Sequence, residues 1–409
     1  MSDERTFVVV GGGLAGAKSV EALRERGFEG RLVLLGAEAH LPYERPPLSK
    51  DYLKSGEKLE DAFVHDQQWY AAHDVDVRTG TEVTAIDRDA HEVVTASGER
   101  ISYDRLLLAT GSSPRHLSMT GVDLEGVLSL RTIEDSDAIR ATFGEGRRLV
   151  LIGGGWIGLE VAAAAREAGT DVTVLEALEL PLVRVLGTEI AQVFADLHRE
   201  HGVDLRTEVK VEAIEGAGSV SGVRLADGGV VPADAVVVGI GASPNVALAE
   251  AAGLAVDNGV TADAVGRTSD ADIFAVGDVA NVEHPLLGQR VRVEHWANAL
   301  NQPQVVVAAM LDKDGPQPEL PYFFTDQYDL GMEYLGLGGP DDDVVVRGDL
   351  GKREFIAFWT RDGRVVAGMN VNIWDVTDDI KALILSKAAV DPAKLADPAV
   401  PLAEVAGQG

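Results

Sequence analysis

The sequence predicts an α/β chain built from two copies of one parallel-sheet unit, with a smaller α+β domain at its C-terminal end. Three observations carry this expectation. A strand, glycine turn, helix and strand open the chain, and the same order returns at 149–176. The glycines of the two copies, Gly11/Gly13/Gly16/Gly27 and Gly153/Gly155/Gly158/Gly169, stand at a constant offset, so the agreement reaches past the turn to the residue that ends the helix. After the Pro-, Gly- and charge-rich stretch DKDGPQPELP at 312–321, the pattern changes to strand-like runs (DVVVRGDL, EFIAFWT, RVVAGMNVN) and a helical stretch near 375–389. A chain of 409 residues also exceeds what one core ordinarily organises.

Taken in order, TFVVV at 6–10 is a β-branched apolar run that Gly11 ends. A helix from about Leu14 to Arg26 follows, capped by Gly27, and then the buried strand in RLVLLGAE at 31–38. In this setting the GxGxxG spacing has a mechanism. Gly11 allows the tight turn, Gly13 lets the backbone approach a pyrophosphate, and Gly16 lets helix and strand pack closely. The pyrophosphate then lies at the helix N-terminus, where free N–H groups and the dipole favour an anion. Glu38, ending the second strand, is the candidate for a ribose hydroxyl. In HLPYERPPLSKDYL (40–53), Pro46 and Pro47 stiffen the chain, and Ser49 is expected to N-cap a helix with Lys50 in its first turn. A cation there is electrostatically misplaced, so Lys50 is either solvated or held by a specific partner. Strand segments EVTAID, HEVVTAS and YDRLLLATG form a small meander that returns to the sheet.

The second copy runs LVLI, GGGWIG, LEVAAAAREA and VTVLE, followed by its own meander (VKVEAIEG, SVSGVRLAD, ADAVVVGIGASPN). Gly153, Gly155 and Gly158 repeat the phosphate logic. Glu176, ending the second strand, accepts from a free ribose 2′-OH and repels a 2′-phosphate, which favours NADH over NADPH; Arg184 nearby weighs the other way. Two dinucleotide sites in one chain imply a resident and a visiting dinucleotide that exchange electrons, with the two units facing one another across a cleft. TSDADIFAVGDVANV (268–282) and a helix from about Trp296 to Leu311 precede the linker, and the DDD at 341–343 reads as a solvated turn without a metal role.

The composition excludes several classes. The formal net charge of −30 argues against nucleic-acid and anionic-membrane binding. Without cysteine the chain has no thiolate, disulfide or cysteine-bound cluster. No stretch approaches the length of a membrane span, and MSDERTFVVV has neither a basic n-region nor an apolar h-region, so a cytoplasmic location is expected.

The ordered set GGGLAG, LPYERPPLSK, YDRLLLATG, GGGWIGLE, GIGASPN, IFAVGDV, VEHWANAL and PYFFTDQY resembles the oxygenase-coupled, FAD-containing NADH–ferredoxin reductases, a group with a glutathione-reductase-like fold that includes putidaredoxin and rubredoxin reductases. The resemblance implies a discontinuous FAD domain (1–112 and 244–318), an NAD domain (113–243) and a C-terminal domain (319–409). It assigns FAD to Gly11, Gly13, Leu14, Ala15, Gly16, Glu38, Arg45, Lys50, Val83, Ala109, Thr110, Gly111, Arg131, Gly277, Asp278 and Trp296. Asp278 would meet the ribityl chain, and Trp296 would open a helix aimed at the flavin pyrimidine. NAD falls to Gly153, Gly155, Trp156, Ile157, Gly158, Glu160, Glu176 and Gly241. Lys50 and Glu160 match an ion pair beside flavin N5, which would supply the missing partner of Lys50. Trp156 matches an aromatic covering the nicotinamide side, against the alternative that it fills core space. Some relatives carry Asp where this chain has Ala37, which leaves the ribose contact to Glu38.

The implied activity takes hydride from NADH onto FAD and passes single electrons to a [2Fe-2S] ferredoxin, which feeds an oxygenase such as a cytochrome P450. The alternatives are rubredoxin as acceptor, or an NADH-responsive flavoprotein like apoptosis-inducing factor. Thiol-dependent relatives of the same fold are excluded by the lack of cysteine. For an acidic ferredoxin, a local basic patch is expected, with Arg290, Arg292, Lys381 and Lys387 as candidates.

Overall fold

A computed structural model describes residues 3–55 and 58–405, with the side chain of Ser55 left out. The chain sorts into two compact units, the first comprising Met1–Arg45, Lys58–Ser113 and Ala242–Pro321, the second Pro46–Glu57, Pro114–Gly241 and Tyr322–Gly409.

The first unit is organised by a five-stranded parallel sheet in the order Ile273–Ala275, Arg105–Leu108, Thr6–Val10, Arg31–Leu35, Val75–Arg78. Val and Leu dominate because such a sheet is covered on both faces; Phe7 through Val9 and Leu32 through Leu35 are buried. The helices Leu14–Glu25 and Trp296–Met310 cover one face, closing a core around Val20, Leu23, Val306 and Met310. An antiparallel meander, Val83–Asp87, Glu92–Thr95 and Arg100–Ser102, lies on the other through Ile86, Val93 and Ile101.

The second unit repeats the plan. Its parallel sheet runs Val127–Leu128, Ala235–Val238, Arg148–Ile152, Asp171–Leu175, Asp204–Arg206, with a meander of Val211–Ala217, Ser219–Leu225 and Val230–Pro232. The glycine-loop helices correspond residue for residue, Leu14–Glu25 and Trp156–Glu167, each of 12 residues. One difference in chain order stands out. The strand beside the returning one comes late in the first unit (Ile273–Ala275) and early in the second (Val127–Leu128).

The second unit also contains an antiparallel sheet in the order Tyr322–Gln327, Leu330–Gly336, Arg364–Val371, Glu354–Arg361, Asp343–Asp349. It shares a core with the helix Thr188–Glu200, where Phe194 and Leu197 pack in one cluster with Met332, Phe355 and Trp359.

Two local expectations are corrected. Ser49 is not an N-cap. Pro46–Ser49 forms a 3-10 turn, the α-helix begins at Asp51, and the Ser49 hydroxyl donates to Glu160 instead of accepting a backbone N–H. Lys50 therefore precedes the helix, and Asp51 supplies the favourable charge to its first turn. Within DDD, Asp342 is not solvated: its side chain is 2 % exposed and holds the Arg361 guanidinium at 2.7 Å and the Gly339 N–H at 2.7 Å.

Candidate functional site

The first glycine loop does what its spacing requires. Gly11 has φ +126°, and a Cβ there would meet the Ala109 carbonyl oxygen at 2.0 Å, so the loop and the end of the Arg105–Leu108 strand touch backbone to backbone. A Cβ on Gly16 would strike the Gly11 carbonyl at 2.0 Å, whereas one on Gly13 would meet nothing within 4 Å. Gly13 is the N-cap of the helix Leu14–Glu25 and offers no side chain to its first N–H groups. The cradle fits a pyrophosphate at the point where the sheet reverses its order, the usual ligand crevice of such sheets.

Around it, Glu38 accepts from the Tyr43 hydroxyl and from Arg45 at 2.7 Å, so its carboxylate is held at the strand end while a third of its surface stays exposed. Burial pushes the Tyr43 phenol up, keeping it a donor. Ala15 packs under Gly277, where a Cβ would sit 2.9 Å from the Ala15 methyl carbon. The Gly277 N–H donates to Gln302 Oε1 at 2.7 Å, and Asp278 Oδ2 accepts from Ser112 at 2.8 Å. Thr110 and Asn245 exchange hydrogen bonds at 2.9 and 2.8 Å, while the Gly111 carbonyl accepts from the Asn245 N–H. Trp296 opens its helix and donates to Glu44 at 3.1 Å; His295 at the N-cap is kept neutral by burial, its pKa pulled down to about 4 against the opposing field of Asp278. Val83 begins the meander and is half-buried.

The second loop repeats the geometry. Gly153 has φ +103° and would carry a Cβ 2.4 Å from the Gly239 carbonyl; Gly158 would meet Gly153 at 2.7 Å; at Gly155 the nearest atom is 3.7 Å away. The helix Trp156–Glu167 again starts without a side-chain cap. Glu176 takes the Gly154 N–H at 2.7 Å and the Leu178 N–H at 2.8 Å, which fixes the acid at the strand end and ties it to the loop. Gly241, φ +98°, receives the Arg115 N–H on its carbonyl. Trp156 is half-buried with edge contacts to Phe194 and Phe323, so it packs and remains accessible, while Ile157 beside it is 49 % exposed.

Lys50 and Glu160 come together inside the second unit, Nζ to Oε1 at 2.6 Å, both largely buried. Lys50 also lies 5.3 Å from the ring centre of Phe324. Glu160 accepts twice more, from Ser49 at 2.5 Å on Oε2 and from Thr325 at 2.5 Å on Oε1. Neither hydroxyl was anticipated in this role. Ser49 had a local cue in standing next to Lys50; Thr325 lies in the quoted motif PYFFTDQY but carries no periodic or spacing signal toward Glu160. Arg131 also lies in the second unit, where its N–H joins the Thr132–Asp135 capping box of the helix Ile133–Arg140. The basic-patch candidates fare unevenly. Arg292 is only 9 % exposed and is committed to Glu294 and the Asp278 carbonyl, and Arg290 pairs with Glu283 at 2.9 Å. Lys387, closing the helix Thr377–Ser386, is exposed.

Known proteins resemble this chain over nearly its whole length. The model of the pyridine nucleotide-disulphide oxidoreductases matches residues 5–303, and that of the reductase C-terminal domain matches 322–406. The ferredoxin–NAD(+) reductase component of the anthranilate 1,2-dioxygenase system of Burkholderia cepacia is 44 % identical, over 97 % of this chain and 98 % of its own. Putidaredoxin reductase of Pseudomonas putida is 39 % identical, over 99 % and 97 %. The crystal structure of the covalent putidaredoxin reductase–putidaredoxin complex superposes with a TM-score of 0.95 at 39 % identity, covering 99 % of this chain and 98 % of that one. The chain therefore belongs to the pyridine nucleotide-disulphide oxidoreductase family, in the form that carries the reductase C-terminal domain.

Proposed function

We infer that the protein is an FAD-dependent NADH:ferredoxin oxidoreductase that supplies electrons, through a [2Fe-2S] ferredoxin, to an oxygenase such as a cytochrome P450. The single observation that carries the reading is the duplication of an uncapped glycine cradle within one chain, each with its own acid at the strand end. When bound, FAD exchanges an electron pair with NADH and single electrons with a one-electron acceptor. The first cradle, in residues 1–112 and 244–318, is assigned to FAD: Gly11, Gly13, Leu14, Ala15 and Gly16 receive the pyrophosphate, Glu38 the adenosine ribose, and Asp278 the ribityl chain. Arg45 holds Glu38, Val83, Ala109, Thr110, Gly111, Arg131 and Gly277 line the cofactor, and the Trp296 helix directs its N-terminal dipole toward the flavin ring. The second, in 113–243, is assigned to NADH, with Gly153, Gly155, Ile157, Gly158 and Gly241 along the dinucleotide, Glu176 on the ribose diol and Trp156 beside the nicotinamide. Lys50 and Glu160 orient the reacting rings and set the local charge. Residues 319–409 form the C-terminal domain.

With no cysteine, the chain cannot perform the thiol chemistry in its family's description. The relatives named as a ferredoxin–NAD(+) reductase component and a putidaredoxin reductase support electron transfer instead. The use of NADH favours a cytoplasmic location. Among the described residues no helix is long and apolar enough to cross a membrane. The test is anaerobic mixing with NADH. The purified protein should carry a flavin absorption that bleaches, and a [2Fe-2S] ferredoxin should then restore it faster than rubredoxin does. A flavin that NADH leaves oxidised would overturn the reading.

A further inference from the structure

The Lys50–Glu160 pair is the end of a longer chain of buried polar side chains within the second unit. His198, on the helix Thr188–Glu200, is fully buried and its Nε2 lies 2.9 Å from Gln327 Oε1. Gln327, also fully buried, places its amide nitrogen 3.2 Å from Thr325 Oγ1, and Thr325, 1 % exposed, reaches Glu160 Oε1 at 2.5 Å. The direction of each bond follows from the groups. An amide oxygen only accepts, so His198 Nε2 carries the ring proton. The amide nitrogen only donates, so Thr325 accepts from Gln327 and spends its one hydroxyl proton on Glu160. Burial pulls His198 down to about 4, which keeps the imidazole neutral and its single ring proton on this side at neutral pH. Donors thus point one way, each polarising the next, toward the carboxylate.

A Glu side chain turns easily about its last torsion, where the energy is broad and two-fold. At Glu160 that freedom is removed from both sides: Ser49 holds Oε2 and Thr325 holds Oε1, the oxygen that also meets Lys50. Thr325 and Gln327 both come from the strand Tyr322–Gln327. We propose that Thr325, seated by Gln327 and His198, is a positioning residue for the reaction: it fixes the plane of the Glu160 carboxylate and so the place of the Lys50 ammonium, giving the C-terminal domain a direct part in reduction by NADH.

This inference rests on the reading of the protein as an NADH-oxidising flavoprotein, and the wild-type bleaching experiment tests that reading separately. Stopped-flow bleaching of the FAD-loaded protein by NADH would be compared for Thr325→Val, Thr325→Ser and Gln327→Leu. Removing the hydroxyl at constant shape should slow the limiting bleaching rate by about tenfold with little change in NADH affinity, because the interaction orients reacting groups and does not bind the dinucleotide. Thr325→Ser should restore most of the rate, and Gln327→Leu should slow it by a smaller factor. In a Glu160→Gln background, Thr325→Val should cost little more, since the two act as one unit. Wild-type bleaching with an unchanged rate in both Thr325→Val and Gln327→Leu overturns the proposal and spares the functional reading, as does a Thr325→Ser variant as slow as Thr325→Val. A full, independent loss in the Glu160→Gln background also overturns it. If Thr325→Val does not retain FAD, the Gln327→Leu rate decides.

Discussion

Glu160 accepts from Lys50, Ser49 and Thr325, so truncating it strands three donors at once. Glu160→Ala is expected to slow bleaching by NADH tenfold or more, on the order of a lost oriented charge pair, while FAD stays bound. Removing one partner of a largely buried pair should also cost about 3 kcal/mol of stability, read as a lower unfolding midpoint. Loss of FAD in this variant would show that the residue had been misassigned. Two buried histidines make a second prediction. His198 and His295 are both lowered by burial from 6.5 to about 4, the first opposed by Gln327 and the second by Asp278. Between those values the unfolded chain binds protons that the folded chain refuses, so stability present above pH 6.5 declines as pH falls toward 4, by up to roughly 3 kcal/mol for each group. Thermal unfolding of wild type and His198→Gln across that range checks this: the variant should show the shallower decline. At this scale the sequence marked Lys50 as a cation in need of a partner, and only a resemblance named Glu160 as that partner. The hydroxyls on Glu160 were hidden because they arrive from 111 and 165 residues away, and no local period encodes such a meeting.

The glycine loops were legible as elements because their demands are local and steric. The 12-residue helices start and stop as the repeated glycines predict, and each loop keeps one glycine with an open side. Open sides make separable predictions. Gly13→Ala meets no protein atom within 4 Å, so the fold should persist while FAD content of the purified protein drops sharply. Gly155→Ala, with its nearest atom at 3.7 Å, should keep FAD and weaken NADH by about tenfold or more, measured as the NADH concentration for half-maximal bleaching rate. Gly11→Ala differs in kind, because its methyl would lie 2.0 Å from the Ala109 carbonyl and force the sheet apart. Equal FAD content in Gly13→Ala and wild type would refute the cradle assignment. The turn at 46–50 was misread for the opposite reason. A Ser after two prolines is a good local cap, but here a buried carboxylate competes for its hydroxyl and wins.

At the scale of the whole molecule, a net charge of −30 sets the chain against an acidic ferredoxin, and attraction must come from local cations. With Arg292 and Arg290 each held in an ion pair, Lys387 on the C-terminal domain is the exposed one of the four candidates. Ferredoxin reduction is expected to slow several-fold as salt rises from about 20 to 300 mM, and Lys387→Glu should lower the low-salt rate while NADH bleaching stays unchanged. Acceleration by salt would show that bulk repulsion governs instead. The doubled α/β plan and the separate antiparallel sheet were legible from pattern, but the sharing of one apolar core by that sheet and the helix Thr188–Glu200 was not, since amphipathic faces do not name their partners. The late arrival of Ile273–Ala275 has a consequence for biosynthesis. As the chain leaves the ribosome, the second unit's parallel sheet is complete once Val238 emerges, whereas the first sheet, begun at Thr6, must wait for Ala275 and its covering helix for Met310. The first cradle to be threaded is therefore the last to gain the edge strand and covering helix of its sheet.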